Sequence, residues 1–179
     1  DPPWDSALVR RALALLLPWK ELRDESRYQA PASTLVLPLP GYSKAKGIES
    51  PDRDEALKLL SKAGFPEGAG LPPMNIYYAD GKDAKRIATL MQVAWKALPA
   101  LKVNLMPISG GRYYGTVAGP DRQPGVTIAH TTWIGDFADP EAFLQMWTPD
   151  SPLNDARFSD PAFSAAIAKS YEAEGKERM

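Results

Sequence analysis

The apolar positions of this chain fall into two periods, and the change from one to the other outlines its architecture. Between Asp83 and Leu98, residues Ile87, Leu90, Met91, Ala94, Trp95 and Leu98 recur at helical spacing and form a single apolar stripe. That stripe predicts an amphipathic helix with Trp95 in the core. Before it, Met74-Asn75-Ile76-Tyr77-Tyr78-Ala79 has the β-branched and aromatic content of a strand, followed by a turn at Asp80-Gly81. After it, Leu101-Lys102-Val103-Asn104-Leu105-Met106-Pro107 alternates apolar and polar, the period of a half-buried strand. Strand, helix and strand in this order predict a right-handed crossover and an α/β layer.

The flanking segments add further elements. A first helix is expected from Asp5 or Ser6 to about Leu17, ended by Pro18. Residues 28–47 are irregular, with Leu35-Val36-Leu37 as a short extended piece framed by prolines. Ser50-Pro51-Asp52-Arg53 reads as a cap, a proline at the first helical position and an acidic first turn, opening a helix that stops at Gly64. The loop from Phe65 to Pro73 is rich in glycine and proline, but no phosphate-cradling glycine pattern follows a strand there. A short helix or helical turn is expected from Ser109 through Tyr114. The chain then returns to a buried strand at Val126, an aromatic and acidic turn, and a helix opening at Asp139-Pro140. Ser159-Asp160-Pro161 caps a last helix carrying Phe163, Ile167 and Tyr171 on one side.

Composition narrows the function. The 179 residues, 44% hydrophobic, suffice for one domain with a core. With 21 basic and 22 acidic residues the net charge is −1, which gives no field to draw nucleic acid or an anionic membrane. There is no cysteine, so disulfides, thiolate metal sites and a cysteine nucleophile are excluded. No apolar run approaches the roughly 20 residues of a membrane span. The chain begins at Asp1 without an initiator Met and stops at Met179 inside what reads as a helix, the pattern expected of a fragment.

The candidate chemistry lies at the end of the predicted strand at Val126, because open α/β sheets deliver ligand-binding groups at the carboxyl ends of their strands. Trp133 and Phe137 can offer flat apolar surface and Asp136 a charge. A carboxylate lodged among aromatic groups is costly unless a cation or several donors meet it, and an ammonium would do so. Backbone amides are the competing partners for Asp136, and ordinary packing competes for both rings. Asp139-Pro140-Glu141 has the form of a helix start, which explains both carboxylates by capping. The alternative is a carbohydrate-active enzyme using Asp136, Asp139 and Glu141, since glycoside hydrolysis needs two carboxylates about 5–10 Å apart. His130 is the only histidine; a triad lacks its partners and a zinc site its ligands. No catalysis, cofactor or metal site is therefore expected of this chain.

Several stretches together resemble one family: Val9-Arg10-Arg11-Ala12-Leu13-Ala14, Pro38-Leu39-Pro40-Gly41-Tyr42, Glu55 through Pro66, Trp133-Ile134-Gly135-Asp136-Phe137-Ala138-Asp139-Pro140, and Phe158-Ser159-Asp160-Pro161-Ala162-Phe163. Their order and spacing are similar to those of the extracytoplasmic solute-binding proteins of oligopeptide, dipeptide and nickel ABC transporters. The resemblance implies that residues 1–179 are a single α/β lobe, a mixed sheet flanked by helices, from a two-lobed periplasmic-binding-protein fold. It is the second lobe, with the first lobe and the C-terminal return segment absent. The family's tryptophan-x-x-aspartate turn matches Trp133 and Asp136, which implies that Asp136 takes the α-ammonium of a peptide ligand. His130 stands where some members carry an arginine facing ligand carboxylates, and Tyr113 and Tyr114 lie near another ligand-facing aromatic. The implied partners are a peptide and, for the whole protein, an inner-membrane ABC permease. The protein is expected to be monomeric and periplasmic or otherwise extracytoplasmic, anchored as a lipoprotein or free. A nickel or metal-chelate binder of the same family is a further alternative, resting on His130. Half a cleft leaves half of the contacts unmade, so calorimetry on residues 1–179 alone is expected to detect weak peptide binding or none.

Overall fold

The computed structural model describes residues 2–23, 32–42, 46–119, 122–129 and 133–174. These form two compact units, one drawn from 1–31, 48–117 and 122–130, the other from 32–47, 118–121 and 131–179.

The first unit opens with α1 (Ala7–Leu15), capped by Ser6, whose backbone is extended and whose side chain accepts from Val9 N at 3.5 Å. The helix stops short of the expected Leu17, and Pro18 leads into a single turn, α2 (Trp19–Leu22), that the apolar pattern does not predict. Side-chain contacts fix this turn: Trp19 Nε1 donates to Ala14 O at 2.9 Å, and the Arg23 guanidinium lies 4.2 Å from the Trp19 ring centroid. Partial burial lowers the Arg23 pKa, opposed by Glu49.

Helix α3 (Arg53–Lys62) is capped by Asp52 rather than Ser50: Asp52 holds the extended conformation and its Oδ1 accepts from Glu55 N at 3.0 Å, leaving Pro51 ahead of the cap. Its end follows the expected glycine rule. Gly64 sits at φ +88°, and the bonds Phe65 N to Leu60 O (2.9 Å) and Gly64 N to Ser61 O (3.1 Å) are the paired closures of a Schellman motif.

The crossover follows as expected. Strand β1 (Met74–Ala79), helix α4 (Lys82–Trp95) and strand β2 (Val103–Ile108) are consecutive, with β1 and β2 parallel from Met74↔Val103 to Ala79↔Ile108. Helices α1, α3 and α4 bury one face of the sheet, where Val9, Ala12, Leu60, Met74, Ile76, Tyr78, Trp95 and Leu98 form the main core. Trp95 is 2% exposed, as its place in the stripe requires. Helix α5 (Gly110–Val117) covers the other face with Tyr113 and Val117 against Tyr77.

Strand β3 (Ile128–Ala129) corrects an expectation. It is a two-residue strand parallel to β1, with Ile128 half-buried and Ala129 exposed, rather than a buried strand from Val126. Among the described strands the order is β2-β1-β3, so β3 has a neighbour on one side only. Ahead of it side-chain bonds supplement the ladder: Asn75 N donates to Thr127 Oγ1 (3.2 Å), Asn75 Nδ2 to Gly125 O (3.0 Å), and Asn104 Nδ2 to Asn75 Oδ1 (2.8 Å).

In the second unit Val36 is buried between exposed Leu35 and Leu37, and joins Ala142 and Phe143 in a small core lined by Leu39, Tyr42, Trp133 and Leu144. Helix α6 (Glu141–Leu144) runs into a 3-10 turn at Gln145–Trp147. Helix α7 (Pro161–Glu172) is capped as expected, the Asp160 carboxylate accepting from Ala162 N (2.8 Å) and Phe163 N (3.0 Å). Of its expected stripe, Ile167 is buried and Phe163 packs edge-on against Phe158, but Tyr171 is exposed: the covered part of the helix ends a turn earlier. Among the described residues no helix is long and apolar enough to cross a membrane.

Candidate functional site

The turn from Trp133 to Pro140 lies within the second unit and is fastened to α6 from three directions. Trp133 is half-buried, with its ring against the core of Val36, Ala142 and Phe143, and its Nε1 donates to Ala142 O at 2.6 Å. A partly buried indole N–H is costly to leave unpaired, and the helix backbone supplies an acceptor here. Gly135 lies beneath the Phe143 ring: a Cβ there would sit 2.6 Å from Phe143 Cζ, inside any tolerated contact. Asp139 Oδ1 accepts from Glu141 N at 2.9 Å, closing the start of α6 in the capping role read from the sequence.

With its inward side filled, the turn presents the residues between these fastenings to solvent. Ile134 is 80% exposed, Phe137 is 48% exposed, and Asp136 is exposed as well. This corrects the expectation of a carboxylate lodged among aromatic rings. Trp133 turns into the small core and Phe137 stays at the surface, so Asp136 carries no burial cost that a ligand would have to relieve. Its usefulness is that of an accessible anion on a pinned backbone.

The two tyrosines belong to the first unit and differ in surroundings. Tyr113 is buried beside Tyr77 and Val117, and its hydroxyl donates to Tyr77 O at 3.2 Å. Tyr114 is 58% exposed and meets the Tyr113 ring edge-on, centroids 5.5 Å apart. The helical period separates them: Tyr113 lies on the face of α5 that meets the sheet, and Tyr114, the next residue round the helix, does not. His130 lies outside the described residues. Among the described residues no three His, Cys, Asp or Glu gather as a metal would require. A cavity of about 140 Å³ lined by Gly119, Pro152, Asn154, Asp155 and Arg157 includes none of the sequence-derived candidates and is smaller than a typical ligand pocket.

The sequence does not mark the placement of Ile134 or Gly135. An isoleucine beside a tryptophan in a turn reads as core, and a glycine reads as conformational freedom. The signal for Gly135 is the Phe143 ring, eight residues further on and adjacent only in space.

The family model described as bacterial extracellular solute-binding proteins, family 5 middle, matches residues 1–155. The chain is 25% identical over 188 residues to the periplasmic oligopeptide-binding protein OppA of Haemophilus influenzae, covering 97% of this chain and 34% of that protein. It is 30% identical over 177 residues to a dipeptide-binding protein of Lactococcus lactis, covering 88% of this chain and 31% of that protein. It thus spans about a third of the length of these curated relatives. Its fold matches a periplasmic oligopeptide-binding protein from Borrelia burgdorferi with a TM-score of 0.83 at 23% identity, over 99% of this chain and 35% of that one.

Proposed function

Since this chain belongs to family 5 of the bacterial extracellular solute-binding proteins, we propose that it is part of a protein that captures peptides outside the cytoplasm for import by an ABC transporter. Residues 1–179 contribute the second of two lobes, and both compact units belong to that lobe. The whole protein works as a monomer that hands its ligand to an inner-membrane permease.

The observation that carries the reading is the turn at Trp133 to Pro140. Asp136 is an accessible carboxylate on a backbone held by the Trp133 indole bond, the Phe143 ring over Gly135 and the Asp139 cap. A fixed anion of this kind suits a peptide's α-ammonium, because little ordering entropy is left to lose on binding. The names of the relatives, an oligopeptide-binding and a dipeptide-binding protein, point to the same ligand class. Trp133 serves by positioning the turn rather than by touching the ligand, and Tyr114, rather than Tyr113, is the tyrosine with surface to offer. We read this as binding without turnover: Asp139 is engaged at the start of α6, which takes up one of the three carboxylates that the glycoside-hydrolysis alternative would draw on.

Isothermal titration of the full-length protein with a short peptide tests the reading. Asp136→Ala is expected to weaken binding by about thirtyfold, or about 2 kcal/mol, the scale of one charge-assisted hydrogen bond. N-acetylation of the peptide should weaken binding to the wild type comparably and add little in the variant. Unchanged affinity in Asp136→Ala would remove the aspartate from the site.

A further inference from the structure

We propose that Ile134 is a specificity-determining residue, selecting ligands whose ammonium adjoins an apolar side chain: peptides with an aliphatic or aromatic first residue. The inference rests on the reading of Asp136 given above and names the ligand class that this turn favours.

A single exposed apolar side chain is ordinary on protein surfaces and carries no meaning alone. Ile134 differs in how its exposure arises. Its neighbours on either side face inward: the Trp133 ring packs against the core of Val36, Ala142 and Phe143, and the Phe143 ring leaves no room for even a methyl group at Gly135. Between these two contacts the backbone holds Ile134 outward, with 80% of its surface exposed. A β-branched side chain has few rotamers, so little entropy is lost when a ligand covers it.

Charge supplies the second half of the argument. Asp136 lies between Ile134 and Phe137 in the chain, all three are exposed, and no basic residue occurs from Trp133 to Pro140. One anion between two apolar groups complements one cation beside one apolar group. The first residue of a peptide with a free α-ammonium and a leucine or phenylalanine side chain has that form. An acidic first residue would bring like charge against Asp136, and a small one would leave Ile134 uncovered.

The test uses the full-length protein and three probes: leucyl-alanyl-alanine, trialanine and N-acetyl-leucyl-alanyl-alanine, titrated by calorimetry. The wild type is expected to bind the leucyl peptide about tenfold more tightly than trialanine, the scale of a few added methylenes in a partly apolar site. Ile134→Ser should bring the two within about twofold while leaving trialanine affinity unchanged, and Ile134→Val should keep most of the preference. A position this exposed tolerates both changes without loss of the fold. Equal affinity of the wild type for both free peptides overturns the inference. So does an equal loss for both in Ile134→Ser, the mark of contact with another part of the protein. If the acetylated peptide binds as tightly as the free one while the leucyl preference survives and depends on Ile134, only the ammonium reading fails.

Discussion

Trp95→Ala is expected to destabilise the full-length protein by about 3–5 kcal/mol, the scale of removing a large aromatic side chain from a packed core. The indole is 2% exposed and lies in the cluster that joins α1, α3 and α4 to the sheet. It also makes a specific bond across that cluster, Nε1 donating to Leu13 O at 2.9 Å near the end of α1. The alanine variant therefore loses packing, leaves a cavity and removes a hydrogen bond together. Trp95→Phe separates these contributions. It keeps most of the ring volume, and because Leu13 O also accepts from Leu16 N at 3.3 Å, the expected cost of the lost bond is only about 1 kcal/mol. Urea denaturation followed by circular dichroism should rank the midpoints wild type, Trp95→Phe, Trp95→Ala. A Trp95→Ala protein with the wild-type midpoint would mean that the α4 stripe does not anchor this core.

The next largest effect is expected at Gly135. Gly135→Val should cost about 3 kcal/mol, the upper range of overpacking, and should weaken peptide binding as well. The reason is contact rather than backbone conformation: a Cβ would lie 2.6, 3.1 and 3.2 Å from Phe143 Cζ, Cε2 and Cε1. The ring cannot swing freely aside, because Phe143 is itself buried with Val36 and Ala142. Either the ring leaves its cluster or the turn lifts from α6, and lifting the turn moves Ile134, Asp136 and Phe137. A double variant identifies the contact. Gly135→Ala combined with Phe143→Leu should be more stable than the sum of the two single changes predicts, because the smaller side chain makes room for the new methyl. Strict additivity in thermal denaturation would show that the contact is not what constrains the glycine.

The elements most legible in the sequence are those whose reasons are local. The stripe from Ile87 to Leu98 identifies α4 and its buried Trp95, because helical periodicity and burial are the same fact seen twice. Gly64 identifies the end of α3, since a left-handed residue there is a property of one position. The start of α3 is less legible, and Asp52 caps where Ser50 is expected, because several residues in that stretch can cap and the choice depends on which of them adopts extended backbone. Strand β3 is shorter and less buried than its sequence suggests for a different reason. Its apolar residues match a buried strand, but burial needs neighbours, and β3 has β1 on one side only among the described strands. Tyr113 and Tyr114 look alike in the sequence, because an eight-residue helix buries one side chain and exposes the next according to which face meets the sheet.

The candidate site divides along the same line. The α/β class, the βαβ crossover, the capping role of Asp139 and the place of Trp133 and Asp136 in a single turn are legible in the chain alone, because all of them follow from residues close together in it. That Trp133 faces inward, that Gly135 is a contact position and that Ile134 is held outside emerge with the packing of the folded chain. Those outcomes depend on the Phe143 ring and the Ala142 carbonyl, which reach the turn only once α6 has packed against it.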